Sequence, residues 1–87
     1  MKNPVRLTLL SREDCHLCEV AHRIVLHLQS EVPIEVRIVD VDGDDALREQ
    51  YGTRVPVVLL NDIEQFTGNV TEEELRRAIK KRGEEDR

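Results

Sequence analysis

The sequence predicts a single α/β domain in the order strand, helix, strand, helix, strand, strand, helix. Three observations carry that expectation. Apolar residues switch from alternation to helical spacing and back again along the first half of the chain. The strand–helix–strand stretch has the length of a parallel crossover unit. Thr71 followed by Glu74 is a capping box that opens a last helix. At 87 residues the chain has material for one hydrophobic core and no second.

Val5 to Ser11 (VRLTLLS) alternates through Val5, Leu7 and Leu9, with Leu10 on the other side, which predicts a strand buried in part on both faces. Arg12-Glu13-Asp14 interrupts it. From Cys15 onward Leu17, Ala21, Ile24, Val25 and Leu28 share one helical face. That helix should end near Ser30, because Pro33 biases Val32 away from helical geometry. Glu35 to Val41 returns to alternation, and Asp42 to Asp45 is a turn feeding a short helix, Ala46 to Tyr51. Gly52 suits a left-handed position just beyond that helix. Val55 to Leu60 is the most apolar run and the expected central strand. Asn61-Asp62 makes a tight hairpin turn into an antiparallel return, Ile63 to Thr67. After Gly68-Asn69, the last helix should reach about Lys81 with Leu75, Ala78 and Ile79 inward. Glu84 to Arg87 is expected to fray, leaving a core domain of about residues 5–82.

Composition narrows the function classes. Hydrophobic residues are 39% of the chain and aromatics 2%, so the core must be aliphatic. A net charge of -5 opposes nucleic acid, whose phosphates call for a basic face. Stacking platforms for single strands are also missing. Met1 to Leu10 has no apolar run long enough for a signal peptide or a membrane span, so a cytoplasmic protein without membrane partners is expected, and a monomer is expected besides. In that compartment a purely structural disulfide is improbable.

Cys15 and Cys18 therefore ask for a chemical explanation. The first turn of a helix offers unpaired N–H groups and the positive end of the macrodipole, and both favour thiolate. A second cysteine one turn later is placed to attack the mixed disulfide that the first one forms. The expected roles are Cys15 attacking and Cys18 resolving. Arg12, and His16 when protonated, lower the Cys15 pKa, while Glu13 and Asp14 raise it; a moderate net depression is expected. Two other readings of the pair stay open. The cysteines are inert and buried, or they hold a metal or iron–sulfur centre, with His22 on the same helical stripe. Asp40, Asp42, Asp44 and Asp45 fail the EF-hand pattern and read as a strand end and a helix cap. His27 reads as decoration of an exposed face, and Arg76, Arg77, Lys80 and Lys81 as solvated charges.

Cys15-His16-Leu17-Cys18 after a strand, with Tyr51-Gly52-Thr53-Arg54-Val55-Pro56 opening a later one, resembles the thioredoxin superfamily. It is most similar to small bacterial glutaredoxin-like proteins with a D-C-x-L-C motif. The resemblance covers Val5 to about Lys81. It implies a mixed four-stranded sheet in the order 2-1-3-4 with flanking helices, and thiol–disulfide oxidoreductase activity without a resident cofactor. It also implies a cis bond before Pro56, with the Val55 backbone free to pair with an extended substrate. Substrate contacts then fall on Arg12, His16, Leu17, Val55, Pro56, Gly68 and Asn69. The substrate is a protein disulfide or a glutathione mixed disulfide, with glutathione as co-substrate in the second case. In glutaredoxins a basic residue at the place of Arg12 helps hold a glutathione carboxylate. Here Arg54-Val55-Pro56 and Gly68-Asn69-Val70-Thr71 depart from the family's T-V-P and G-G patterns, which predicts weak glutathione affinity. A non-catalytic binding module is the remaining alternative.

Overall fold

The computed structural model describes residues 4–85. Its elements are β1 (Val5–Ser11), α1 (His16–Gln29), β2 (Ile34–Asp40), a 3-10 turn (Val41–Gly43), α2 (Asp45–Tyr51), β3 (Val57–Leu60), β4 (Ile63–Thr67) and α3 (Glu72–Glu85). They form a mixed four-stranded sheet in the order β2-β1-β3-β4. β1 runs parallel to β2, with Val5 beside Ile34 and Ser11 beside Asp40, and antiparallel to β3, with Leu7 beside Leu60. β4 returns along β3 with one irregularity, where Leu59 faces Glu64 and Gln65 is skipped. Such a bulge adds local twist at the sheet edge. The turn between β3 and β4 holds Asn61 and Asp62 at φ 50° and 69°, the primed geometry that matches strand twist. Asn61 is tied back to β1, where its Oδ1 accepts from the Arg6 N–H at 2.9 Å.

Strand alternation divides the interior in two. Val5, Leu7 and Leu9 point toward α1 and α3, where Ala21, Val25, Leu28, Leu75 and Ile79 close the main core. Leu10 points the other way and joins Val41 and Val57 beneath Leu47 and Tyr51 of α2. The sheet is thus covered by two helices on one face and a short one on the other. No helix among the described residues is long and apolar enough to cross a membrane.

Several boundaries differ from the sequence expectation. β2 begins at Ile34 and stops at Asp40, because Val41 turns into the 3-10 segment and is fully buried under α2. Asp40 accepts from the Asp42 N–H, and Asp44 caps α2 by accepting from the Ala46 and Leu47 N–H groups. Val55 and Pro56 lie before β3 and outside it. Leu17 is 44% exposed and not part of the inward face of α1, which Cys18 joins in its place. The capping box at Thr71 and Glu74 forms in both directions, at 3.1 Å each way. The helix it opens continues to Glu85, so Glu84 and Glu85 are helical where fraying was expected; Asp86 and Arg87 lie outside the described residues. Arg82, half-buried and paired with Glu85 at 3.4 Å, supports the added turn.

The end of α1 is joined to the start of α3 by four charged groups, not by solvated charges. Arg76 donates to both oxygens of Glu31, at 3.0 and 3.2 Å, and to Glu72 at 2.7 Å. His27 Nδ1 lies 2.7 Å from Glu72 Oε1. That hydrogen bond, helped by the charge of Glu72, raises the His27 pKa above its ordinary value, and it holds Glu72 below the usual carboxylate range. A raised histidine pKa stabilises the fold fully below the unfolded value and loses that contribution as pH rises through the folded value. Thermal midpoints of the native chain should therefore fall from about pH 6 to about pH 8, and His27→Gln should flatten that slope. An identical slope in the variant would remove His27 from the account.

Candidate functional site

Three chain segments reach the same end of the sheet. The cysteine loop leaves β1 after Ser11, and the Leu10–Val57 register puts Pro56 next to that exit. Gly68 follows the end of β4, and its N–H donates to the Pro56 carbonyl at 2.8 Å. Gly68 has φ 82°, so the turn that delivers this N–H requires a residue at ease in the left-handed region. Asn69 beside it is exposed.

Asp14, at φ 56°, swings the chain from strand to helix and sets Cys15 at the N-cap of α1. Asp is among the few residues that take this conformation readily. The Cys15 Sγ accepts a hydrogen bond from the Cys18 N–H at 3.2 Å, the place a serine or aspartate oxygen takes in an ordinary cap. Cys15 and Cys18 are joined by a disulfide with Cα atoms 5.2 Å apart. Cys18 is 4% exposed, whereas Cys15 is only partly covered. Leu17 and His16 stand out into solvent between them, with His16 Nδ1 4.0 Å from Glu19. His22, one turn further along α1, is exposed.

The Val55–Pro56 peptide bond is cis. Pro56 is buried, Val55 is half-buried against Leu10, Val41 and Val57, and neither its N–H nor its C=O has a partner among the described residues.

Arg12 is committed elsewhere than at an open anion site. Its Nε and Nη2 donate to the two carboxylate oxygens of Asp42, at 3.2 and 2.9 Å, and its Nη1 donates to the Gly52 carbonyl at 2.9 Å. This clasp links the cysteine loop to the segment that carries Pro56. It also corrects the reading of Gly52, which sits at φ -53° and is not left-handed. A Cβ at Gly52 would lie 2.5 Å from the Arg48 carbonyl oxygen and 3.4 Å from Arg12 Nη1, so close approach accounts for the glycine. Arg54 is likewise engaged. It lies 4.9 Å over the Tyr51 ring and donates to Glu64 at 3.0 Å. The Thr67 hydroxyl, and then the Arg54 guanidinium, hold the Glu64 carboxyl below its usual range. Glu13 and Asp14 are exposed, and their carboxylates have no partner among the described residues.

The structure thus gathers Arg12, Cys15, Cys18, Val55, Pro56 and Gly68 at one end of the sheet, with Leu17 and His16 at the surface beside them. The sequence reading missed Asp42 and Glu64 as partners of the two arginines. It also missed the left-handed Asp14, whose only signal was an aspartate just before a helix cap.

The glutaredoxin-like domain model (DUF836) matches residues 6–80. A protein of uncharacterised function from Mycobacterium tuberculosis is 34% identical over 79 residues, covering 85% of this chain and 81% of that protein. A thioredoxin of Methanocaldococcus jannaschii is 33% identical over 81 residues, covering 90% of this chain and 95% of that protein. Among solved structures, protein XcR50 from X. campestris superposes with a TM-score of 0.73 at 31% identity, covering 86% of this chain and 96% of that one. With its thioredoxin-like sheet and C-x-x-C pair, the chain belongs to the glutaredoxin-like (DUF836) family.

Proposed function

We propose that the protein is a thiol–disulfide oxidoreductase that reduces a protein disulfide or a glutathione mixed disulfide by dithiol exchange. One observation carries the reading: the sulfur of the partly exposed Cys15 caps α1 and accepts the Cys18 N–H, while its bonding partner Cys18 is buried. A sulfur that accepts a backbone N–H at the positive end of a helix is favoured as thiolate.

In the reduced chain the Cys15 thiolate attacks one sulfur of the substrate disulfide. The substrate S–S bond breaks, and its leaving thiolate takes a proton. Cys18 then loses its proton and attacks the Cys15 sulfur, which frees the second substrate thiol and leaves the Cys15–Cys18 disulfide. Two electrons have passed to the substrate, with one proton from Cys18 and one from solvent, and an external thiol or dithiol reductant resets the pair. The unpaired Val55 N–H and C=O are suited to hold an extended substrate strand beside the sulfurs, and Leu17 offers it an apolar contact.

The test is reduction of insulin disulfides by dithiothreitol with and without catalytic amounts of the protein. The reading expects a rate that rises in proportion to protein concentration. A rate no faster than dithiothreitol alone would end it.

A further inference from the structure

Building on the dithiol reading, we infer that the site selects disulfides in extended polypeptide with neutral or cationic flanks, and does not capture glutathione by its carboxylates.

Glutathione carries two carboxylates, so a protein that holds it firmly through them needs cationic side chains with free donors. The two guanidinium groups that flank the cysteine and Pro56 loops each already hold an acid partner. Arg12 spends Nε and Nη2 on Asp42 and Nη1 on Gly52. Arg54 is bound to Glu64 and lies over Tyr51. Turning either one to a ligand carboxylate would exchange one acid partner for another, so the exchange gains little. Meanwhile the residues just before Cys15, Glu13 and Asp14, present bare carboxylates, and Glu19 follows on the first turn of α1. A small anionic disulfide meets repulsion there, and a lysine-flanked peptide meets attraction. The free Val55 N–H and C=O supply what a peptide main chain uses and a charge-based capture does not.

The fully reduced chain can be mixed in single turnover with three probes. These are glutathione disulfide, a cyclic peptide whose disulfide is flanked by lysines, and its glutamate-flanked twin. The lysine peptide should react roughly five- to tenfold faster than the glutamate peptide at low ionic strength, and that ratio should shrink in high salt. Glutathione disulfide should be slower than the lysine peptide and show no saturation. Asp42→Asn and Glu64→Gln each free one guanidinium. At least one of them should raise the glutathione rate relative to the lysine peptide by roughly tenfold, the worth of one charge-assisted contact. Saturable glutathione reduction by the native chain, equal rates for the two peptides, or an unchanged ratio in both variants would overturn the inference and leave the dithiol reading standing. Failure to reduce any of the three probes would overturn the dithiol reading itself.

Discussion

Cys15→Ser should bring reduction of a protein disulfide down to the uncatalysed rate, while Cys18→Ser should still attack and then stall as a mixed disulfide. The asymmetry follows from the two environments. Cys15 caps the helix, accepts a backbone N–H and remains partly open to solvent. Cys18 is 4% exposed, so a bulky substrate sulfur cannot approach it first, yet it lies one turn from Cys15 with Cα atoms 5.2 Å apart. Without Cys15 the one remaining thiol is the buried Cys18; without Cys18 the first exchange proceeds and the second has no internal nucleophile. Mass analysis after acid quenching distinguishes the outcomes. The Cys18 variant should carry one covalently bound substrate chain, and the Cys15 variant none. The reverse pattern would exchange the two roles.

Leu7→Ala should destabilise the chain by about 2–5 kcal/mol, the range for a large side chain removed from a packed core. Leu7 is fully buried in β1, with Val36 beside it on one flank and Leu60 on the other, and it belongs to the core closed by α1 and α3. Because β1 is hydrogen-bonded on both sides, the sheet has little freedom to collapse into the space left behind. Total stabilities of domains run about 5–15 kcal/mol, so the loss is a large fraction of the whole. Urea titration should show a lower midpoint at unchanged slope. Leu26→Ala is the control, since Leu26 is half exposed on α1 and its removal should change stability by no more than about 0.5 kcal/mol. Equal losses in the two variants would show that β1 is not the centre of this core.

Where the chain's own chemistry is local, the sequence made it readable. The change of apolar period located β1, α1 and β2, and the capping box located the start of α3. Asn61-Asp62 marked the hairpin because few residue pairs tolerate two positive φ values in succession. The Cys15/Cys18 spacing located the site, since one helical turn places the two sulfurs side by side. What stayed hidden was long-range pairing. Nothing near Arg12 announces that Asp42, thirty residues on, takes its guanidinium. The same holds for Glu31 and Glu72, which turn Arg76 from a surface charge into a link between helices. Gly52 showed a second kind of failure. A glycine after a helix suggests a left-handed residue, but here the crowding comes from Arg48 and Arg12, and only the packed structure reveals it. The extra turn of α3 was masked by Gly83, which is a poor helix former but lies within reach of Val5 at the surface of the core.

Residue-resolved alkylation tests most directly the proposal that the helix end activates a partly exposed Cys15 while Cys18 stays shielded. The reduced chain is treated with iodoacetamide over a pH series, quenched and digested, and modification of each cysteine is quantified by mass spectrometry. Cys15 should be modified first, with a rate that rises with pH below the range of an ordinary free thiol, and Cys18 should lag well behind. Glu13→Gln combined with Asp14→Asn removes the two bare carboxylates and should shift the Cys15 profile to still lower pH. Equal reaction of both sulfurs, or a Cys15 profile matching free cysteine and unmoved by the double substitution, would contradict the account.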